Sequence, residues 1–389
     1  MKIIKPINLT PQEIQEVYLD DGDSLKFSLP RAMLKRSYLD IPDTFFENAK
    51  NITLEVILSD GSRRTFSKPN KNQWIWLKGE CNHKYTPFRQ NSYTGYNNNK
   101  TDKDSIQELL AAKYNEAAAA DSTPKGAKSL IYYTAGGDKE YLQLLQKSVV
   151  SIWNLSQKKA FEFLFICPES WQAEIEAFKP TNCVFKYHLV EDSNDGVEIS
   201  KNKTKIFDFA QINQYKKILY LDCDIIAVRN IDHIFSKDYD HRLHVACNVR
   251  KVTFSSHAGS YHGLKYFSPE KVAELTSQNQ RPFNAGQFLF LNSPSMKKHF
   301  ENVNWLMSVW PGEYFFEQSF MNHYFCGFNL TENESIGKKI KILSTVDGDG
   351  FNPDYDHDDI LVHFIAPALN PTAKINYIEE YVNAHLPQS

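Results

Sequence analysis

The order of residues alone predicts an α/β protein: a mixed, mostly parallel sheet covered by helices on both faces, preceded by a small antiparallel β domain. Three observations carry that expectation. Apolar strand-like runs alternate with helical periodicities from Gly126 onward. Apolar residues recur at every second position in stretches between Leu25 and Leu77. A segment rich in Asn, Ser, Gly and Lys separates the two regions. Parallel strands need long crossovers, and the helices of those crossovers cover both faces of the sheet.

The elements follow in order. Leu25, Phe27 and Leu29 alternate with polar residues, as do Ile52, Leu54, Val56 and Leu58, and Asp60-Gly61 forms a turn before Arg63 to Phe66. Residues 1–90 are therefore expected to be the small β domain. Trp74 and Trp76 share one strand face there, where they either pack in the core or stack on a sugar ring. Residues 91–126 read as a linker with one alanine-rich helix, Ser105 to Ala120, ending at Asp121-Ser-Thr-Pro-Lys-Gly126. In residues 127–389 a strand at Ser129 to Thr134 precedes a helix marked by Leu142, Leu145, Val149 and Ile152. A strand at Glu162 to Ile166, a short helix at Pro168 to Phe178 and a strand at Val184 to Leu189 come next. Lys203 to Asn213 is expected to be a helix and Lys217 to Leu221 a strand, and no internal repeat is present.

Composition narrows the class. Of the 389 residues 42% are hydrophobic and 13% aromatic, which excludes a disordered or collagen-like chain. Lys plus Arg number 44 against 47 for Asp plus Glu, so no global field draws a polyanion, and nucleic acid is not an expected partner. No run of 18 apolar residues exists, and Met1-Lys-Ile-Ile-Lys-Pro6 lacks the apolar core of a signal peptide. A soluble, cytoplasmic protein is expected. The six cysteines are scattered without a CxxC pair and read as buried, reduced thiols, and sequons such as Asn154-Leu155-Ser156 read as chance.

The chemistry concentrates where the apolar run Ile218-Leu-Tyr-Leu221 ends in Asp222-Cys223-Asp224. Two carboxylates at the end of a buried strand are costly without a partner. A hard divalent cation such as Mn2+ or Mg2+ removes that cost and can bridge the phosphates of a nucleotide. An acidic pair that merely ends a strand in water is the plain alternative. Ligands of such sheets sit at the carboxyl ends of strands.

Thr204-Lys205-Ile206, Leu219-Tyr-Leu-Asp-Cys-Asp224 and Asn230-Ile-Asp-His-Ile-Phe235 together resemble the family 8 glycosyltransferases. Phe283-Asn-Ala-Gly-Gln-Phe-Leu-Phe-Leu-Asn292 is similar to the family's donor-sugar motif. Phe316-Glu-Gln-Ser-Phe-Met-Asn322 is similar to its Asp-Gln helix start, and Leu361-Val-His-Phe364 to its C-terminal metal histidine. The resemblance covers about Ser129 to Asn370, in the family's order. It implies a GT-A, Rossmann-like fold and metal-dependent transfer of a hexose from a nucleotide-diphosphate sugar with retention of anomeric configuration. The family favours UDP-glucose or UDP-galactose. On this resemblance Asp222, Asp224 and His363 hold the metal. Lys205, Asn284, Ala285 and Gly286 contact the donor, together with Cys223 and Glu317, and Gln318 lies beside the anomeric carbon. Gln318, Glu317 and Asn284 are the catalytic candidates, while Thr134 and Tyr141 match uridine-binding positions loosely.

Two departures stand out. The family's phosphate-binding lysine after the histidine is missing from His363-Phe-Ile-Ala-Pro-Ala-Leu-Asn370, so Lys374, Arg250 or Lys251 is expected to replace it, and Glu317 stands where the family has Asp. His357 amid Asp356, Asp358 and Asp359 reads as a solvated acidic loop. The long segment from Asn248 to Pro282, with His257, Tyr261, His262 and Tyr266, is the expected acceptor surface, with the acceptor and the oligomeric state left open. Two competing functions remain. One is a non-catalytic sugar-nucleotide or glycan-binding protein. The other is a haloacid-dehalogenase-like phosphatase, with Asp222 as phosphoryl acceptor and Gly348 to Asp354 as its second acidic loop.

Overall fold

The computed structural model describes residues 100–193, 196–247, 267, 269–278, 280–309, 316–344, 359–365 and 371–385, together with the backbone of six strands before residue 77. The chain forms two units, Met1–Lys103 and Asp104–Ser389.

In the first unit β1 (Ile14–Asp20), β2 (Lys26–Ser28), β4 (Thr53–Leu58) and β5 (Arg63–Ser67) form an antiparallel sheet of order β2-β1-β4-β5. β4 and β5 pair antiparallel, Ile57 opposite Arg63, and the Asp60-Gly61 turn expected between them lies outside the described residues. β1 was not anticipated. β3 (Tyr38–Leu39) pairs antiparallel with β6 (Ile75–Trp76), and the Trp74 and Trp76 side chains lie outside the described residues.

The second unit is built on a seven-stranded sheet. Its strands are β7 (Lys128–Thr134), β8 (Phe161–Pro168), β9 (Phe185–Val190), β10 (Tyr215–Leu221), β12 (Leu243–Cys247), β13 (Phe283–Leu291) and β14 (Thr331–Glu332). The order is β14-β12-β13-β10-β7-β8-β9, and β13 alone runs against the rest. Period-two alternation feeds two cores. Leu130, Tyr132, Leu164, Ile166, Ile218 and Tyr220 face one, and Ile131, Tyr133, Phe163, Phe165, Leu219 and Leu221 face the other. Burial on both faces explains why these strands read as unbroken apolar runs.

Helix α1 (Lys100–Ala118), expected to belong to a linker, packs into the larger unit from Asp104 onward: Leu110 and Ala117 are buried. Asn302 Nδ2 donates to Lys113 O at 3.0 Å and Ser295 Oγ to Ala117 O at 2.8 Å, so its last turns belong to the core. Helices α2 (Tyr141–Leu155) and α3 (Glu169–Ala177) follow as expected, and α4 (Gly196–Lys201) comes before the next segment. The helix expected at Lys203 to Asn213 is instead two 3-10 turns, Asn202–Asp208 and Ile212–Gln214. Thr204 Oγ1 donates to the Lys201 carbonyl three residues back at 2.7 Å, a local bond that competes with regular helix.

A second, three-stranded sheet of order β11-β16-β15 carries the C-terminal histidine. It joins β11 (Ile225–Ala227), β15 (Ile340–Ser344) and β16 (Leu361–Ile365), with Ile225 opposite His363. The remaining helices are α5 (Asp232–Phe235), α6 (Pro269–Ser277), α7 (Pro294–Val309), α8 (Phe316–Met321) and α9 (Pro371–His385). Ile375, Ile378 and Tyr381 of α9 pack with Ile226, Val362 and Phe364 of the small sheet and with Val228 just after β11. No helix among the described residues is long and apolar enough to cross a membrane.

Candidate functional site

Because β13 runs against β10, its first residues lie beside the last residues of β10. The Asp222 N–H donates to Gly286 O at 2.7 Å, and Leu221 pairs with Gln287. Ile218 to Leu221 are fully buried, and the polar groups begin abruptly at Asp222.

Each carboxylate of the Asp-Cys-Asp segment has a defined set of neighbours. Lys374 of α9 donates to Asp224 Oδ2 at 2.6 Å, and His363 Nε2 stands 3.2 Å from Asp224 Oδ1. Burial alone would raise the Asp224 carboxyl, but Lys374 and His363 outweigh it and hold the group well below the usual carboxylate range. Asp222 Oδ1 accepts from the Tyr220 hydroxyl at 2.5 Å and lies 3.1 Å from Lys203 Nζ. Lys203 itself sits 2.6 Å from Glu317 Oε1 and 3.4 Å from the Ala285 carbonyl. Burial disfavours its charge, yet Asp222 and Glu317 more than restore it, so the ammonium persists.

The start of β13 is shaped by its neighbours. Asn284 Oδ1 accepts from the Gly286 N–H at 2.7 Å, and Gln318 Oε1 from the Ala285 N–H at 3.0 Å. One turn further, the buried Asn322 amide holds both the N–H and the carbonyl of Phe283, at 2.8 and 2.9 Å. Asn322 begins a π-helical turn, Asn322–Cys326, a widening that often marks functional segments.

Among the described residues one group has the make-up of a cation site: Asp222, Asp224 and His363 present ligand atoms that all lie within 4.8 Å of one another. The fit is physical as well as geometric. His363 Nδ1 is buried without a hydrogen-bond partner, and Asp224 Oδ1 is buried with the His363 Nε2 contact at 3.2 Å beside it. Two carboxylates and an imidazole form a mixed oxygen and nitrogen donor set suited to a divalent ion.

The other expected residues are placed as follows. Thr134, at the end of β7, bonds the Tyr220 hydroxyl at 3.0 Å, and its carbonyl accepts from Cys223 Sγ at 3.7 Å. Burial raises the Cys223 thiol well above its ordinary value. Tyr141 opens α2 and lies within electrostatic range of Lys374. Lys205 is half-buried and acts on His188, while Lys203, two residues earlier, is the lysine that meets Asp222 and Glu317. Sequence reasoning missed Lys203, Tyr220 and Asn322. Arg250, Lys251, His257, Tyr261, His262 and Tyr266 lie outside the described residues, as do His357 and the Gly348 to Asp354 loop.

A model of the family described as glycosyl transferase family 8 matches residues 133–368. Galactinol synthase 7 of Arabidopsis thaliana is 35% identical over 134 residues, and galactinol synthase 2 of Solanum lycopersicum 32% over 131. The first match spans 33% of this chain and 38% of the relative, the second 33% and 37%, so well under half of either relative is covered. Among solved structures, a galactosyltransferase LgtC in complex with donor and acceptor sugar analogs aligns at 12% identity and TM-score 0.43, covering 67% of this chain and 97% of its own. Mouse xyloside xylosyltransferase 1 aligns at 13% identity and TM-score 0.38, covering 62% and 98%.

Proposed function

The chain belongs to glycosyl transferase family 8, and we propose that it moves a hexose from a UDP-sugar to an acceptor with retention of anomeric configuration, using a divalent cation held by Asp222, Asp224 and His363. The observation that carries this reading is the convergence of those three side chains at the carboxyl end of β10, within 4.8 Å of one another. Mn2+ is favoured over Mg2+, because an imidazole joins the two carboxylates. When bound, the cation would neutralise charge on the departing diphosphate.

The chain's own residues supply the rest of the proposal. Lys374 sits 2.6 Å from Asp224 and brings a second positive charge to the same place, which fits it for the role of the missing phosphate-binding lysine. Asn284, Ala285 and Gly286 form the floor beneath the donor sugar. Gly286 has no β-carbon to block the approach, and a β-carbon there would stand 2.7 Å from Asp222 Oδ2. Gln318 braces that floor through the Ala285 N–H and is assigned the position beside the anomeric carbon. Thr134, Tyr141 and Cys223 border the uridine end. Lys205 stays in the proposal as a more distant donor contact.

The galactinol synthases among the relatives make UDP-galactose the first donor to test, with UDP-glucose second. An intracellular, cytoplasmic setting belongs to the same proposal, supported by the free thiols of Cys167, Cys183, Cys223 and Cys326. The direct test is release of UDP from either donor by the full chain, with Mn2+ and with EDTA. Release that depends on Mn2+ and is lost in Asp224→Asn supports the reading. Release that ignores both the chelator and the substitution overturns the cation site.

A further inference from the structure

Resting on the cation site proposed above, we infer that Lys203 is a positioning residue. Anchored by Glu317, it locks Asp222 in the orientation that presents Oδ2 to the cation. The two oxygens of Asp222 have completely different surroundings. Oδ1 accepts from the Tyr220 hydroxyl at 2.5 Å and faces Lys203 Nζ at 3.1 Å, so its hydrogen-bonding capacity is taken. Oδ2 faces the hollow above Gly286. A β-carbon on that glycine would lie 2.7 Å from Oδ2 and closer still to His363 Cε1, so the free oxygen and the imidazole share one space.

A carboxylate on a short side chain has two rotational options, and a ligand that must offer one particular oxygen gains affinity when the other is held from behind. Lys203 suits that task because it is itself immobilised. Its side chain is 10% exposed and its closest partner is Glu317 at 2.6 Å, whose side chain is 2% exposed. The Ala285 carbonyl, at 3.4 Å, is a third contact. Asp222 is 31% exposed and is the member of the trio open to a ligand. The acid of α8, expected to meet donor hydroxyls, is thus engaged with a lysine behind the metal ligand. The extra methylene of Glu317 over Asp supplies the reach.

Two opposite signs make the inference testable. A lysine acting only as a nearby positive charge would repel a cation, and its removal would tighten binding. A lysine that orients a ligand would weaken binding on removal. The experiment is titration of Mn2+ into the full chain, read as loss of the free-Mn2+ signal in electron paramagnetic resonance. Lys203→Met is expected to weaken Mn2+ binding about 10–100-fold, the range for loss of a group that orients a ligand. Lys203→Arg should recover part of the loss, and Glu317→Gln and Tyr220→Phe should shift it the same way by less. Thermal melting checks that each variant folds. Unchanged or tighter binding in Lys203→Met overturns the inference. Should that variant fail to fold, unchanged binding in both Glu317→Gln and Tyr220→Phe overturns it equally. Absence of saturable Mn2+ binding in the unsubstituted protein instead removes the cation reading, and this inference with it.

Discussion

Gly286 and His363 stand so close across the site that the glycine's missing side chain is what leaves the imidazole its place. A β-carbon at 286 would crowd His363 Cε1 and lie 2.7 Å from both Asn284 Oδ1 and Asp222 Oδ2. Gly286→Ala should therefore displace at least one of the three. The expected result is a folded protein, destabilised by about 1–3 kcal/mol as for other overpacked sites, with Mn2+ binding lost or greatly weakened. Urea unfolding and a Mn2+ titration check the two halves separately. Full binding in the alanine variant would show that the hollow is larger than the contacts imply.

A ligand that binds only the folded state raises its stability by mass action, about 2.7 kcal/mol at a hundredfold excess over the dissociation constant. Mn2+ should raise the melting temperature of the unsubstituted chain, and Asp224→Asn should abolish the rise. The comparison needs no donor or acceptor. An equal rise in both proteins would place the ion elsewhere.

Lys374 makes a prediction of mixed sign. Its ammonium is paired with Asp224 at 2.6 Å; burial alone would lower its pKa, but the Asp224 charge outweighs that and keeps it above the ordinary lysine value. In Lys374→Met, Mn2+ should bind more tightly, because the competing charge is gone. UDP release at saturating Mn2+ should fall about a hundredfold if the ammonium serves the diphosphate. Unchanged release would exclude Lys374 as the replacement for the missing lysine.

Two buried imidazoles weaken the larger unit in acid. Burial pushes His299 down to about 4 and His323 down to about 3, from an ordinary value of 6.5. Both are neutral in the folded chain and take up protons on unfolding. The stability they contribute is complete above pH 6.5 and is lost as pH falls toward 4 and then 3, by up to about 1.4 kcal/mol per pH unit for each. Urea midpoints between pH 7 and 4.5 should decline, and less so in His323→Phe. A flat profile would contradict the neutral assignment.

Asn322 is the strongest structural test. Its amide satisfies both backbone groups of Phe283, and Cys326 Sγ lies 3.6 Å from its Oδ1. Asn322→Leu leaves a buried N–H and carbonyl unpaired, at about 1–3 kcal/mol each, immediately before the Asn284 to Gly286 floor. A midpoint shift with donor turnover reduced alongside is expected. Loss of stability with normal turnover would uncouple this clamp from the site.

The parts that were legible share a cause. β7, β8 and β10 are buried on both faces, and β10 ends where two acids begin, so Asp222 and Asp224 stand out against an unbroken apolar run. His363 is 139 positions beyond Asp224 (363 − 224) and ordinary in its apolar strand, so only family resemblance brought it into view. Lys203 was hidden because Lys201, Lys203 and Lys205 alternate with polar residues, and 3-10 geometry decides which points inward. Tyr220 reads as core packing, and its hydroxyl contact with Asp222 depends on the strand's ending there. The helix ahead of β7 looked like a spacer because its surface is polar, and the few residues that dock it, Leu110 and Ala117, are too sparse to form a clear stripe.

The placement of His363 on the three-stranded sheet, apart from the strand that ends at Asp222, carries one more consequence. An ion gripped by all three side chains would rivet two separately hydrogen-bonded layers along their seam, and its binding energy would become part of the folding energy of the C-terminal third. Stripping the ion would then do more than silence a reaction. It would loosen the joint on which α9, and Lys374 with it, is mounted.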